Sequence, residues 1–512
     1  GDPYSAGLLR QTDRLVMWMS IIDVKAGDPW PPGGHRERIE SYATCRQLFL
    51  GRHQDVFQRV QQWLDKTPDK SLVYIVANFP KLVSLVSADM LFGEEPGFVA
   101  GDEGSAEQAA LDAITRANGM HTLNYEMALG ASVRGDAVYK LRYGPRYSYS
   151  ERPEAIISAV NPALFYPEFA ADDVRVLAGA VIAWERKLDD RVYLRREVHT
   201  PGMIRNELWL LERGTLRQQV QLATLPEYAE LHEEEETGYP GLLVEYVPNW
   251  RLDDDWRGVS DYIDIHTLVD ELNNRLSRVS RVLDKHESPK LVLPPGMMKF
   301  DPSTRRYYIE RDSLDVVEAP QEIGGNLPRY LVWDAQLDAA FKQIDKLIQL
   351  AFLVTETSPD AFGMGEAGQA ESGRALKFRL LRTLAKVNRK RLYFDTALRN
   401  VLKAALWFEA DRGRSLSDIA EVRIEWRDGL PDDPFEETQT EAMGVEAGVS
   451  SRRSAVRRLH RLTGKELEDE LAEIDTDRAM AGPPDTRTPA RIDLGNLFGR
   501  GEEEATGGAG EV

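Results

Sequence analysis

Two stretches in the second half of the chain repeat apolar residues at spacings of three and four positions. Residues 261–285 carry one such stripe and residues 331–354 carry another. This spacing places apolar side chains on one face of a helix, so both stretches are predicted to be amphipathic α-helices. The side chains expected to pack in and around this helix pair are Leu268, Leu272, Leu276, Leu337, Phe341 and Ile344.

Residues 288–328 lie between the two predicted helices and have a β pattern. Residues 291–300 and 306–313 alternate in the manner of short strands, and the sequence DPSTR at residues 301–305 is typical of a turn. Together they predict a β-hairpin, with residues 315–320 as a candidate third strand.

A contrast in charge follows the second helix. Residues 357–373 contain Pro359 and four glycines, which excludes regular helix throughout. Residues 374–403 then carry ten Lys and Arg against one acid, Asp395, whereas the whole chain has a formal charge of −20. An apolar stripe makes this stretch a basic amphipathic helix. Its basic face is either a solvated surface that balances acidic neighbours or a surface that faces phosphates or another subunit.

The remaining pattern predicts an α+β chain. Helices are expected at residues 35–66 with a break at Gly51, at residues 79–92 with Asn78 as N-cap, and at residues 106–127. A turn at residues 134–136 is expected between short strands, and residues 155–247 are β-rich. Residues 28–34 predict a linker or loop. After the basic helix we expect a strand at residues 421–430, helices at residues 435–480 and a mobile tail at residues 481–512.

Composition narrows the class of protein. A chain of 512 residues, 42% of them hydrophobic, is long enough for more than one domain with a sizeable core. A pI near 5.0 argues against a chain that binds nucleic acid over its whole surface. The lone Cys45 excludes an internal disulfide and is typical of a reducing compartment. No apolar run approaches the ~18 residues of a membrane span, and the first residues lack the pattern of a signal peptide. We therefore expect an intracellular protein.

Candidate catalytic and ligand-binding motifs are weak. Residues 363–368 match GxGxxG, but the dinucleotide motif requires a preceding strand within a βαβ unit, and here a helix is predicted. Asp253, Asp254 and Asp255 with Glu245 could hold a divalent cation, although such runs more often are solvated or cap a helix. No sequence motif pairs a nucleophilic side chain with a general base. The sequence therefore predicts no catalytic, cofactor-binding or metal site, and no enzyme.

The order of these parts resembles the portal protein of tailed double-stranded-DNA bacteriophages, in the long-tailed branch. The likeness lies in a helix, a β insert, a returning helix, a glycine-rich loop and a long helix, in that order. The resemblance implies these segments: N-terminal extension 1–34, wing 35–255, first stem helix 256–287, clip 288–328, second stem helix 329–356, tunnel loop 357–373, long wing helix with a wing strand 374–434, helical crown 435–480 and flexible tail 481–512.

The resemblance also implies a function and a set of partners. Portals are rings, typically of twelve subunits, at one capsid vertex, through which double-stranded DNA is packaged and ejected. The implied partners are other copies of the chain, the DNA, the large terminase, the major capsid and scaffolding proteins, and a head–tail adaptor. The implied location is the virion, and the host cytoplasm during assembly. The family brings no ATPase, cofactor or membrane contact.

Site residues follow from the same resemblance. The tunnel loop facing DNA comprises Ser358, Pro359, Asp360, Phe362, Gly363, Met364, Gly365, Glu366, Gly368, Gln369 and Glu371. Residues expected to contact DNA or the next subunit are Arg374, Lys377, Arg379, Arg382 and Lys386. The clip residues expected to dock terminase and adaptor are Leu291, Val292, Leu293, Met297, Lys299, Arg305, Arg306, Tyr307 and Tyr308.

Two other functions stay open at this point. One is an oligomeric scaffold that binds nucleic acid through residues 374–403 without being a capsid vertex. Another is a nucleotide-dependent enzyme that uses the glycine-rich loop.

Overall fold

A computed structural model describes most of the chain. It covers residues 20–59, 62, 74–102, 104–150, 152–287, 290–292, 299–308, 329–331, 337–364, 373–410, 418–427, 429, 434–460, 462 and 464–480. The chain divides into two compact units, residues 1–431 and 432–512.

The first unit contains both helices and strands. Its helices are α1 His35–Phe49, α2 Phe79–Phe92, α3 Ala106–Ala117, α4 Met120–Arg134, α5 His266–Glu287, α6 Leu337–Val354, α7 Gly373–Arg379 and α8 Leu381–Glu409. Its strands are β1 Gly97–Ala100, β2 Asp136–Gly144, β3 Glu154–Val160, β4 Phe165–Phe169, β5 Leu177–Leu188, β6 Arg191–Thr200, β7 Met203–Glu212, β8 Thr215–Val220, β9 Glu234–Glu236, β10 Val244–Pro248, β11 Lys290–Val292, β12 Lys299–Asp301, β13 Arg306–Tyr308, β14 Arg329–Leu331 and β15 Val422–Glu425.

Two antiparallel sheets and one long helix form the core of this unit. Strands β4 to β8 make the larger sheet in sequence order, with β9 paired to β7, and β10-β2-β3 make the smaller one. Val138 of β2 packs against Phe165 and Ile182 of the larger sheet, whereas Tyr139 packs in a cluster that contains Phe394 of α8. Because successive side chains of a strand point to opposite faces, the smaller sheet is buried between the larger sheet and α8.

Residues 20–34 are part of this fold rather than a linker. Trp30 is buried in the core of the larger sheet, and its backbone N–H donates to the Gly214 carbonyl. The buried Arg196 guanidinium donates to the carbonyls of Ile21 and Ile22. The expected loop at residues 28–34 therefore consists of turns that pack onto the sheet, because its aromatic and aliphatic side chains fill that face.

The sequence correctly predicted both ends of helix α2. Asn78 caps α2 by accepting from the Lys81 backbone N–H, and Gly93 ends that helix, as predicted. The helix predicted for residues 106–127 is instead two helices, α3 and α4, because Gly119 adopts a positive φ of 54° between them. Helix α4 also runs to Arg134, so a helix, not a strand, precedes the turn before β2.

The two long amphipathic helices form, but each begins later than predicted. Helix α5 begins at His266 rather than at residue 261, and the preceding residues form a turn in which Asp261, Tyr262 and Ile265 are buried. Helix α6 begins at Leu337, because Arg329–Leu331 pairs with Lys290–Val292 as a strand. Strands β12 and β13 pair antiparallel, which confirms the hairpin and its turn. The candidate third strand lies outside the described residues.

The second unit contains three helices in its described part. They are α9 Pro434–Glu446, α10 Arg452–His460 and α11 Gly464–Met480, and they confirm the predicted helices at residues 435–480. Helix α10 holds its neighbours by ion pairs, since Arg458 contacts Glu441 of α9 and Arg452 contacts Asp475 of α11. The tail at residues 481–512 lies outside the described residues.

Candidate functional site

The described part of the glycine-rich loop is residues 357–364, which together with residues 355–356 form the base of the loop. Ser358 begins a short 3₁₀ helix, Pro359–Phe362, by accepting from the Asp360 backbone N–H. The Ser358 backbone N–H donates to the buried Thr383 hydroxyl of α8 at 2.8 Å. Phe362 packs beside Phe352 and Phe79, with ring centroids 5.4 and 6.4 Å away. The base is therefore fixed to α6, α8 and α2.

About half of the predicted tunnel-loop residues belong to the described part of the chain. Ser358, Pro359, Asp360, Phe362, Gly363 and Met364 lie in the described base, with Met364 exposed. Gly365, Glu366, Gly368, Gln369 and Glu371 lie outside the described residues.

The basic helix is two helices that meet at Leu380, and several of its cations pair with acids of the same chain. Arg379 contacts Asp360 at 3.4 Å. Arg382 and Arg389 both contact Glu356, at 3.2 and 2.8 Å. Glu356 itself adopts a positive φ of 54°, which turns the chain out of α6. Of the two interpretations of the basic face, these contacts favour a surface that balances acidic neighbours over one that faces phosphates or another subunit.

Lys386 lies inside the subunit rather than on its surface. Its ammonium donates to the Thr355 carbonyl at 3.0 Å and lies 3.5 Å from the Asp261 carboxylate. The described subunit therefore gives Lys386 no path to a phosphate, contrary to the expected DNA or inter-subunit contact. Lys377 and Arg374 both lie in α7, and the side chain of Arg374 lies outside the described residues.

A buried polar cluster joins the long helix to the two amphipathic helices. The Lys390 ammonium donates to Asp261 at 2.5 Å and to Ser87 at 2.6 Å. Ser132 also donates to Asp261, at 2.6 Å. Burial lowers the pKa of Lys390 to about 8, while the Asp261 carboxylate opposes that shift. Burial alone would raise the pKa of Asp261, but the two lysines and these hydrogen bonds hold it below its usual range.

Most of the predicted packing residues of the helix pair meet in apolar clusters. Leu272, Leu276, Leu337 and Ile344 share one cluster between α5 and α6. Leu268 packs in the adjacent cluster with the C-terminal end of α6. Phe341 is about half exposed, at 46%. The pair is therefore packed along one side of α6 only.

The hairpin has a well-defined turn. Asp301 accepts from the backbone N–H and hydroxyl of Ser303 and from the Thr304 hydroxyl, and these bonds lower the pKa of its carboxyl to about 2. Arg305 has a positive φ of 53° and, like Arg306, an exposed side chain. Leu291 and Val292 lie in β11, and Lys299, Tyr307 and Tyr308 lie in β12 and β13. Leu293 and Met297 lie outside the described residues.

Evidence for ligand chemistry is sparse in the part of the chain that can be described. No group of three or more His, Cys, Asp or Glu there could hold a metal ion. Asp255 pairs with Arg257 at 2.9 Å, and Glu245 is hydrogen-bonded by Asn400 of α8 instead of joining the aspartates. The glycines of the GxGxxG match follow helix α6, not a strand. No described helix is long and apolar enough to cross a membrane.

Comparison with known families identifies the class of protein. Residues 32–483 match the family model described as phage portal protein, SPP1 Gp6-like. The class defined by this match is the phage portal proteins, which are structural and not enzymatic. Because the match covers most of the sequence, the chain belongs to the SPP1 Gp6-like portal family.

Two solved structures resemble the chain at a distance. One is titled the virion of a native gene transfer agent particle, with a TM-score of 0.40, and the other the neck of an empty particle of that kind computed with C6 symmetry, with a TM-score of 0.43. Each is 12% identical over 86% of this chain and 97% of the other. No curated protein matches the chain.

Sequence reasoning missed the Asp261–Lys390 contact. The periodicity of residues 261–285 placed Asp261 at the start of a helix, and Lys390 was one of ten cations on a helix with a clear apolar stripe. Three apolar neighbours on that helix, Val387, Phe394 and Leu398, are buried, and Lys390 lies on the same side. That position was the available signal that the ammonium is internal.

Proposed function

We propose that the chain assembles into the ring at one vertex of a phage-like capsid and forms the channel for DNA. The observation that carries this proposal is the family match over residues 32–483, which spans the helix pair, the hairpin, the glycine-rich loop and the long helix. In this proposal α5 and α6 are the stem, residues 288–328 the clip, residues 357–373 the tunnel loop and the second unit the crown.

The loop is proposed to project into the bore as a ring of equivalent loops. Residues 358–372 contain Asp360, Glu366 and Glu371 and no Lys or Arg. Affinity for duplex DNA comes largely from cations that neutralise phosphates. A loop without cations therefore lets the duplex slide, and the hydrogen bond to Thr383 holds its base in place.

Arg382 is the best placed of the basic residues to contact DNA. Its side chain is 73% exposed, although it lies 3.2 Å from Glu356. Exposed ion pairs contribute on the order of 0–1 kcal/mol, so a phosphate can replace the Glu356 carboxylate at little cost. Arg374, Lys377 and Arg379 precede it along the chain and complete the candidate contact region.

The clip is proposed as the docking surface for terminase during packaging and for a head–tail adaptor afterwards. Arg305 in the turn between β12 and β13, and Arg306 at the start of β13, are both exposed to solvent. Exposed arginines on a short rigid turn suit recognition of carboxylates on a partner protein. Capsid and scaffolding proteins would contact the ring from outside the channel.

The proposal is tested by the mass and shape of the purified protein. Native mass spectrometry and negative-stain imaging should give a closed ring with a central hole, of about twelve 57.8 kDa subunits if it follows the usual portal number. A particle that stays monomeric or dimeric in the presence of scaffolding protein would contradict the proposal. Tight duplex binding by such a small particle, abolished by Arg379→Glu with Arg382→Glu, would favour the nucleic-acid scaffold instead.

A further inference from the structure

The side of helix α6 that faces away from α5 is exposed to solvent. Ala351 and Phe352 pack with Ile265 and Val269 near the wing, and Ile344 packs with Leu272 and Val279 further out, so the two helices are antiparallel. On the opposite side of α6, Leu353 is 74% exposed and Leu350 is 42% exposed. Exposed apolar side chains at one end of a helix mark a surface that is covered by a partner.

The same outer face of α6 carries an ordered set of charges. From the wing end outwards it presents Leu353 and Leu350, then Lys346 and Lys342, and then Asp338 on its flank. Lys346 donates to Gln349, a neutral side chain. Among the described residues no acid contacts Lys342, and no cation contacts Asp338.

The outer face of α5 carries the opposite order. Ile263, just before the helix, is 63% exposed. Glu271 follows near the wing, and Arg278 lies further out with an exposed side chain and no contact to an acid among the described residues. Glu271 already accepts from Arg275, Arg59 and Asn274, and its two oxygens, with about four acceptor sites, have room for one further donor.

The spacings of the two sets agree. Lys346 and Asp338 are eight residues apart, which is about 12 Å along a helix, and Glu271 and Arg278 are seven residues apart, which is about 10.5 Å. Consider the α5–α6 helix pairs of two neighbouring copies lying side by side in the same orientation. A stagger of about one helical turn between them places each charge beside its opposite. Lys342 then lies level with the neutral Asn274, and the exposed leucines lie level with Ile263.

We propose that the outer face of α6 packs against the outer face of α5 in the next copy of the chain. Lys346 pairs with Glu271 and Asp338 with Arg278 of that copy, while Leu350 and Leu353 cover Ile263. This inference rests on the proposed ring, in which two different faces of each subunit meet around a closed circle. Duplex DNA is a poorer occupant of this face, since phosphates gain nothing from Leu350, Leu353 or Asp338.

A charge swap tests the Asp338–Arg278 contact. Asp338→Arg and Arg278→Asp each bring like charges together in every interface, and the double variant restores an opposite pair. We expect each single variant to lower the ratio of ring to free subunit at least about tenfold at moderate salt, and the double variant to recover most of it. Asp190→Arg, in the exposed turn between β5 and β6, makes the same change in charge and should assemble as the wild type does.

Native mass spectrometry measures the ring fraction, and circular dichroism of the separated subunit shows that each variant is folded. Single variants that assemble like the wild type would overturn the inference while leaving the ring intact. A double variant no better than the singles would also overturn it, because the two residues would not face each other. Rings that persist but lose duplex binding would assign the face to DNA. A wild-type protein that forms no ring would instead defeat the proposed function.

Discussion

The Lys390 ammonium lies 2.5 Å from the Asp261 carboxylate in the interior of the subunit, where four parts of the chain meet. Asp261 begins the turn that leads into α5, Lys390 is in α8, and Ser87 and Ser132 contribute from α2 and α4. Lys386 shares the same carboxylate and holds Thr355 at the exit of α6. Both helices of the proposed stem are therefore attached to the proposed wing through one buried cluster.

Replacing Lys390 by methionine should be strongly destabilising. The substitution keeps much of the side-chain volume but leaves a buried carboxylate with only the more distant Lys386 as a charge partner. Breaking a buried ion pair from one side costs about 3–5 kcal/mol. Chemical denaturation of the subunit measures the loss. Arg389→Met on the same helix removes an exposed pair with Glu356 and should cost less than about 1 kcal/mol. Equal losses for the two variants would contradict the assigned role of Lys390.

The sequence predicted the elements of this region but not their junction. Apolar periodicity identified α5, α6 and α8, because each buries a continuous stripe against a neighbour. Asp261 was assigned to α5, since periodicity detects which face is apolar and does not detect a carboxylate that is buried by a distant lysine. The contact joins residues 129 positions apart and depends on tertiary packing alone.

The stability of the subunit should fall as the pH drops below about 6.5, partly through His53. Because the Leu48 carbonyl can only accept, Nε2 of His53 carries the hydrogen, and Nδ1 accepts from the Asn273 amide. Burial lowers the pKa of this neutral imidazole. Below its ordinary value of 6.5 the unfolded chain takes up a proton that the folded chain does not, so stability is complete above pH 6.5 and is lost as the pH falls toward the lowered pKa.

His53→Gln isolates this contribution, because a glutamine amide can donate to Leu48 and accept from Asn273 without titrating. Between pH 7.5 and 5.0 the free energy of unfolding of the variant should fall less steeply than that of the wild type, by up to about 1.4 kcal/mol per pH unit. Urea denaturation at each pH measures the two slopes. Replacement of the exposed His232 by glutamine should leave the wild-type slope unchanged. Identical slopes for His53→Gln and the wild type would disprove the assignment.

Thr383→Val should loosen the base of the tunnel loop without unfolding the subunit. The Thr383 hydroxyl accepts from the Ser358 backbone N–H and donates to the Glu356 carbonyl at 3.3 Å. A valine of the same shape leaves both groups without that partner, at a cost of about 1–3 kcal/mol. Hydrogen exchange of residues 355–364 should accelerate by about tenfold or more. Thr396→Val removes only an exposed bond to the Leu392 carbonyl and should leave exchange there unchanged.

The proposed channel and interface surfaces were less accessible to sequence reasoning than the fold. The basic residues of the long helix form a clear pattern, but the pattern does not distinguish Arg382 at the surface from Lys386 inside. The exposure of Leu350 and Leu353 could not be predicted from the sequence either. Helix α6 is apolar on more than one side, and a single sequence does not show which side the subunit itself covers. Packing decides both questions.

Gly135→Ala should cost far more stability than Gly27→Ala, although both glycines have nearly the same positive φ. Gly135 has a φ of 99° and Gly27 a φ of 101°, so alanine at either position pays about 1–2 kcal/mol for the left-handed backbone. A Cβ on Gly135 would lie 2.5 Å from the Gly258 carbonyl oxygen, whereas nothing lies within 4 Å of a Cβ on Gly27. Gly135 cannot shift freely, because its carbonyl accepts from the Asn249 backbone N–H at 2.7 Å and β2 begins at the next residue. Crowding in a packed interior adds about 1–3 kcal/mol. Denaturation of the two variants side by side should therefore show a larger loss for Gly135→Ala, and equal losses would mean that the contact between residues 135 and 258 relaxes without cost.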